Sequence, residues 1–526
     1  MHKKSVSIVL SFLSTILLFN AFLYATSDEF LVNTYTPNWQ VAPSIGIDND
    51  GKFVIAWQSF NQDGSFYGIF AQRFDRDGTP IGNEFQVNNY TNKDQEWVTV
   101  AVASTSLGNF VITWDSDGQD GSGYGIFAQL YNYSGDPLGY EFQVNTYTED
   151  DQLSPSASMD SEGNFIITWW GKGIEDKFGI FAKRFDKNGT PIGNEFYVNT
   201  SITYGNQFYP YVAMSNTGSF IITWWGTGYA DFSGVYARRY DNVGNPLGSE
   251  FLVNTYTNDV QRAPAVDIAE DGSFIITWIS YGQDGSGSGI YAQRYDNIGN
   301  TLGSEFQVNT YSDNDQGGPW GANPPGVSMN NDGYIITWSS DGQDGSGWGV
   351  YAKKYDYNDK PIDEEFRVNL YTDNNQWYPA IAMSSEGLYV ITWHSFNQYS
   401  SNSAYDIYAK INPTWSQQTP PPDAITLESF SAHPENSNIN LSWSTGTEMD
   451  NLGFYIVRSE STDNGFMLLN EEIILAKGDA YSGYSYSYID THVNPGHVYY
   501  YWLADLDIHG EYTIHGPVKV VTNILK

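Results

Sequence analysis

The chain contains no cysteine. Disulfides, thiolate metal sites, cysteine nucleophiles and a lipidated N-terminal cysteine are therefore excluded. Positive charge is also scarce, with 24 lysines and arginines against 61 aspartates and glutamates, a formal charge of −37. A surface that acidic repels phosphate backbones and anionic headgroups, which argues against nucleic acid as a partner. Only 7 of the 526 residues are histidine, and His394 is the only one between residues 28 and 412. A histidine-based catalytic triad has little to draw on there. Beyond Tyr24 no segment is apolar enough to span a bilayer, so no membrane insertion is expected of the mature chain.

At the N-terminus, His2, Lys3 and Lys4 precede an apolar stretch from Val6 to Tyr24 that ends at Ala25-Thr26. Residues 1–25 have the layout of a secretory signal peptide. The alternative is an uncleaved anchor of nearly spanning length. Serines inside the stretch and repeats starting directly behind it favour cleavage, giving an extracellular or cell-surface protein, with the periplasm as an alternative.

Glycine (51 residues) and aromatics (16%) are abundant, and both belong to a repeat. An apolar strand ends in Trp57, Trp114, Trp169, Trp224, Trp278, Trp338 and Trp393. A second marker, Glu-Phe-x-Val-Asn, begins at Glu29, Glu84, Glu141, Glu195, Glu250, Glu305 and Glu365, at intervals of 54 to 60 residues. In the fifth unit, four strands are predicted: Pro264–Ile268, Ser273–Trp278, Gly289–Asp296 and Phe306–Asn309. Asp-Gly and Glu-Gly pairs such as Asp271-Gly272 supply hairpin turns between the first two. Seven units of four antiparallel strands predict an all-β fold, a seven-bladed β-propeller over residues 28–412. A linear solenoid would need capping ends, which the sequence does not show. The last unit lacks its own fourth strand, so Phe30 to Asn33 is expected to pair with the strand at Asp406–Ile411 and close the ring.

Residues 413–422 (PTWSQQTPPP) form a proline-rich linker. Within residues 423–526, Leu441-Ser-Trp443, Phe454-Tyr-Ile-Val457 and Val493-x-Pro495-Gly496-x-x-Tyr499 resemble a fibronectin type III domain. The resemblance implies a β-sandwich with Trp443 in its core, Tyr499 as tyrosine corner, and a spacer or adhesion role. The repeats themselves, with EFQVNTYT, FIITW and GQDGSGSGIYAQRYD, resemble those of large bacterial surface and secreted proteins. That likeness implies extracellular adhesion or matrix binding.

Candidate chemistry concentrates in loops. Gln-Asp-Gly-Ser recurs at Gln62–Ser65, Gln119–Ser122, Gln283–Ser286 and Gln343–Ser346. Asp117, Asp120, Asp284, Asp341 and Asp344 offer hard oxygen ligands of the kind Ca²⁺ takes, against the plainer reading of ordinary turn residues. A glutamine before each first strand and the asparagine of each fourth strand recur in all seven units. They are expected to satisfy backbone groups rather than to line a channel. Residues present in every unit serve the architecture, so one ligand should sit where units depart from the pattern. The third and fourth double the tryptophan, with Trp170, Glu175 and Asp176 in one and Trp225 and Asp231 in the other. An insertion at 317–325 adds Trp320. Aromatics also gather before the first strands, at Trp97, Phe208, Tyr209, Trp377 and Tyr378. Aromatic faces beside carboxylates suit sugar rings or a protein partner, the competing reading being packing under loops. The expected function is non-catalytic binding or scaffolding through a glycan or extracellular protein ligand. Polysaccharide cleavage by paired carboxylates is the alternative and a plain spacer the third. The repeats lack the Ser-x-Asp-x-Gly-x-x-Trp box of sialidase-type propellers.

Overall fold

A computed structural model describes residues 29–105, 108–173, 179–202, 205–228, 231, 233–318, 323–399, 404–412, 426–448, 451–461, 466–470, 473–478, 482–507 and 512–523. The N-terminal apolar stretch and the proline-rich segment lie outside them. No helix of the described residues is long and apolar enough to cross a membrane. The chain divides into two units, residues 27–415 and a C-terminal unit from residue 416.

The first unit consists of seven four-stranded antiparallel sheets, six of them in simple up-and-down order. The first runs Gln40–Ile47, Phe53–Phe60, Tyr67–Phe74 and Pro80–Gln86. The innermost strand of each sheet lies against that of the next, and Gln376–Met383 of the seventh lies against Gln40–Ile47 of the first. This is the arrangement of a β-propeller. Second strands such as Phe53–Phe60 are buried along nearly their whole length, because both faces are covered by neighbouring sheets. The apolar cores accordingly lie between sheets. One joins Ile45, Trp57 and Phe70 of the first to Val390, Ile407 and Ala409 of the seventh. All seven recurring tryptophans are fully buried.

The seventh sheet is completed by Phe30–Leu31, which pairs with Tyr405–Asn412 in the register Phe30↔Ala409 and Leu31↔Tyr408. Polar residues repeat the closure. The recurring glutamate of each sheet accepts an amide from the loop following the fourth strand of the preceding one. Glu84 takes Thr34, Glu141 takes Asn89, Glu195 takes Thr146, Glu250 takes Ser201, Glu305 takes Thr255, Glu365 takes Thr310, and Glu29 takes Leu370. The cycle is complete only because Glu29 comes from the N-terminal strand. Recurring asparagines and glutamines are likewise architectural. Asn88 accepts from the Ile69 amide (2.7 Å) and donates to the Tyr90 carbonyl (2.8 Å) and Gln95 (3.1 Å).

The C-terminal unit packs a three-stranded sheet (Thr426–Glu435, Asn438–Thr447, Ser485–Asp490) with a second built on Asn451–Ser459, Val498–Asp507 and Tyr512–Val521. Trp443 is buried and stacks on Tyr486 at 5.3 Å. The Tyr499 hydroxyl accepts a hydrogen bond from the Asn494 amide (3.0 Å).

Deleting residues 27–36 removes both the closing strand and Glu29, leaving an unpaired strand edge and an uncovered core on the seventh sheet. The expected result is a lower melting temperature with aggregation at protein concentrations where the parent is monodisperse. Scanning calorimetry and light scattering check it; an unchanged melt contradicts closure.

Candidate functional site

The inner strands share a local irregularity. In six of them the pairing register shifts between the second and fifth residues, as at Glu96/Thr99, Phe208/Tyr211 and Trp377/Ala380. The residue inside each bulge has positive φ: Ala42, Trp97, Ser154, Tyr209, Ala263 and Tyr378, at 46° to 63°. This left-handed conformation costs on the order of 1–3 kcal/mol for a bulky residue. Three of the six are nevertheless aromatic. Trp97 of the second sheet lies 5.9 Å from Tyr209 of the fourth and 6.4 Å from Tyr378 of the seventh. Sheets that are not neighbours meet here, so the three rings converge over the axis of the ring of sheets. Beneath them the inner strands enclose a cavity of about 210 Å³.

A second tier surrounds these rings. Trp225 lies parallel to Tyr209 (6.3 Å, 6°) and Trp170 stands 6.0 Å from it. Phe208 fills the corner at 5.0 Å from each tryptophan. Tyr378 stacks on His394 at 5.6 Å. All of these aromatics except the buried His394 keep part of their surface accessible.

Three buried polar side chains beside the mouth come from the residue following a recurring tryptophan. That position holds Asp115, Ser339 and His394 in the second, sixth and seventh sheets. Each accepts the amide of the next sheet's bulge residue: Asp115 that of Ser154 (2.9 Å), Ser339 that of Tyr378 (3.3 Å), His394 that of Ala42 through Nδ1 (3.2 Å). Burial pushes the His394 imidazole down to about 3, so it is neutral. Asp115 is fully buried, and its second oxygen has no hydrogen-bond partner among the described residues. Directly opposite it on the inner strand is Glu96. Burial, reinforced by Asp94, pushes the Glu96 carboxyl up to about 7 against a hydrogen bond from Tyr124 that works the other way. Burial also holds Asp115 well above the ordinary aspartate range. The mouth thus carries an aromatic floor and a pair of carboxyls that resist ionisation.

Of the residues singled out from sequence, Trp170 and Trp225 belong to this mouth. Glu175, Asp176 and Trp320 lie outside the described residues. Asp231 is not a surface acceptor: it is buried, taking the Asn254 amide group at 2.7 Å and the Ser233 backbone amide at 3.0 Å. That is the turn role which Asp63 and Asp120 play in sheets bearing Gln-Asp-Gly-Ser. Asp120, Asp284 and Asp344 each accept the amide of the serine two residues on (3.1 Å), and Asp117 pairs with Lys93 (2.9 Å). Asp341, in the sixth sheet, is pushed upward by burial and by Asp315. The loop glutamines donate to the recurring glutamates, as Gln119 does to Glu141 (2.7 Å). Among the described residues no group of three or more His, Asp or Glu is placed to hold a metal. Sequence reasoning missed Glu96 and Asp115. Their one signal was an aspartate directly after a recurring tryptophan, where the other units place Gln, Trp, Ile, Ser or His.

No protein-family model matches the chain, and no curated protein sequence matches it. Among solved structures, the fold is similar to that of a protein of unknown function from Dyadobacter fermentans (8% identity, TM-score 0.43, covering 73% of this chain and 98% of that one). It is also similar to an α-L-arabinanase of Penicillium chrysogenum solved with arabinobiose (9%, TM-score 0.40, 72% and 98%). A third match is the GH93 α-L-arabinofuranosidase of Fusarium graminearum with arabinobiose (8%, TM-score 0.41, 73% and 98%). Likeness at this level assigns no activity.

Turn chemistry alone in the Gln-Asp-Gly-Ser loops predicts superimposable melting curves in calcium and in chelator; a rise in calcium that Asp120→Ala with Asp344→Ala abolishes would establish ion binding. The Glu96 carboxyl holds its proton more tightly in the folded state than in the unfolded chain. Its contribution to stability is therefore full below its ordinary value of 4.5 and is lost as pH rises through about 7. Glu96→Gln removes that loss, worth roughly 3 kcal/mol above neutral pH. Denaturant titrations at pH 5 and pH 8 should show a shallower decline for the variant; parallel declines contradict the assignment.

Proposed function

We propose that the chain is an exported saccharide-binding protein, a closed seven-bladed propeller followed by a fibronectin type III-like module. The observation that carries this reading is the convergence of Trp97, Tyr209 and Tyr378, from three separate sheets, beside Trp170 and Trp225. Partly exposed aromatic faces take the apolar faces of sugar rings, and the flanking, partly exposed Glu96 carboxyl hydrogen-bonds to hydroxyls. The bulge itself recurs in six sheets, and what supports a site is that three of them place an aromatic ring there, at Trp97, Tyr209 and Tyr378. Support for seven blades comes from the closed cycle of sheets and glutamates. Support for the fibronectin-like module comes from the three-stranded and larger sheets, buried Trp443 and the Tyr499 hydroxyl on a backbone amide. The basic and apolar N-terminus supports export.

Glycoside hydrolysis is the second reading, favoured by the pairing of Glu96 with Asp115. Residues directly opposite on antiparallel strands have Cβ atoms about 4.5–5.5 Å apart. Two carboxyls on facing strand positions are the residue types a glycosidase uses. Glu96, held near 7, would be the proton donor.

Calorimetric titration of the mature chain with a panel of oligosaccharides, arabinobiose and longer arabinan fragments included, tests binding. Trp97→Ala and Tyr209→Ala are expected to weaken the best ligand at least about tenfold while the melt holds. Full affinity in both variants would move the site elsewhere. If the pair is catalytic, Glu96→Gln and Asp115→Asn should abolish release of reducing ends yet retain binding. Absence of turnover by the parent leaves a binder.

A further inference from the structure

The flank of the mouth away from Glu96 carries a cation. Arg262 holds in the fifth sheet the strand position that Glu96 holds in the second and Trp377 in the seventh. Its guanidinium lies over the Tyr281 ring, 4.7 Å from the centroid, and donates to the Tyr281 hydroxyl. It is also within electrostatic reach of the Tyr209 phenol, as is Asp115. No carboxylate among the described residues forms an ion pair with Arg262, although the chain has 61 acids for 24 lysines and arginines. Its Nε is buried with no hydrogen-bond partner among the described residues. A guanidinium held over an aromatic ring beside the aromatic floor, with no carboxylate partner among the described residues, is suited to a planar carboxylate. The opposite flank does not oppose an anion as strongly as its composition implies, since burial keeps Glu96 and Asp115 from ionising readily.

We propose that Arg262 makes this mouth selective for acidic saccharides, taking the carboxylate of a uronic acid while the sugar ring rests on Tyr209 and Trp225. The assignment rests on the saccharide reading of the same mouth and adds the class of sugar. Neutral saccharides would keep the stacking contacts and lose the charged one.

Titration of the mature chain with oligomers of galacturonate, glucuronate, mannuronate and guluronate, each beside its carboxyl-reduced form, tests the assignment on the unmodified protein. At least one uronate oligomer is expected to bind about tenfold or more tighter than its reduced form, in keeping with a charge-assisted contact. Arg262→Gln should cancel that preference without weakening the reduced form, and Arg262→Lys should restore part of it. Equal affinity for both forms overturns the assignment, as does a preference that survives Arg262→Gln, or equal competition by polyglutamate, which would mark an acidic peptide site. Binding of neutral oligosaccharides alone would leave the saccharide reading standing and remove this one; binding of none would remove both.

Discussion

Ring closure is the constraint on which everything else in residues 27–415 depends. The fully buried second strands and their tryptophans are stable only when each sheet is covered on both faces. An open array would leave one face bare at each end. The cover between last and first is supplied by a strand from the opposite end of the chain, Phe30–Leu31, and by Glu29 on the Leu370 amide. Closure then brings seven inner strands around one axis. Only in that geometry do bulge residues of the second, fourth and seventh sheets meet.

The architecture was readable because it repeats. A tryptophan and a Glu-Phe-x-Val-Asn marker every 54 to 60 residues located the sheets, and the surplus marker at Glu29 pointed to the closing strand. Strand limits were less legible. Pro264 looked like the start of an inner strand, yet the strand begins at Gln261 and passes the proline through a bulge. Nothing in Gln-x-x-Pro reveals that the residue before the proline turns left-handed.

The candidate site was legible in part. Trp170 and Trp225 stood out as departures from the repeat, and both flank the mouth. Asp231 stood out too, but for the wrong reason. The fourth sheet's loop lacks Gln-Asp-Gly-Ser, so its aspartate looked spare although it supports Asn254 as Asp63 supports Asn88. Glu96 and Asp115 were hidden in strands where they pass for ordinary strand residues. Their pairing follows from register, and their suppressed ionisation from burial that a linear pattern does not display. Asymmetry imposed on a symmetric frame is what distinguishes this mouth from the architecture beneath it.

Whether a saccharide rests on the aromatic mouth can be read from indole ¹⁵N–¹H NMR of the tryptophans in the mature chain during titration with the tightest oligosaccharide of a panel. Shifts concentrated at Trp97, Trp170 and Trp225 are expected, with Trp443 and Trp502 of the C-terminal unit unmoved. Shifts confined to the C-terminal unit, with the three mouth tryptophans unmoved, would contradict that placement.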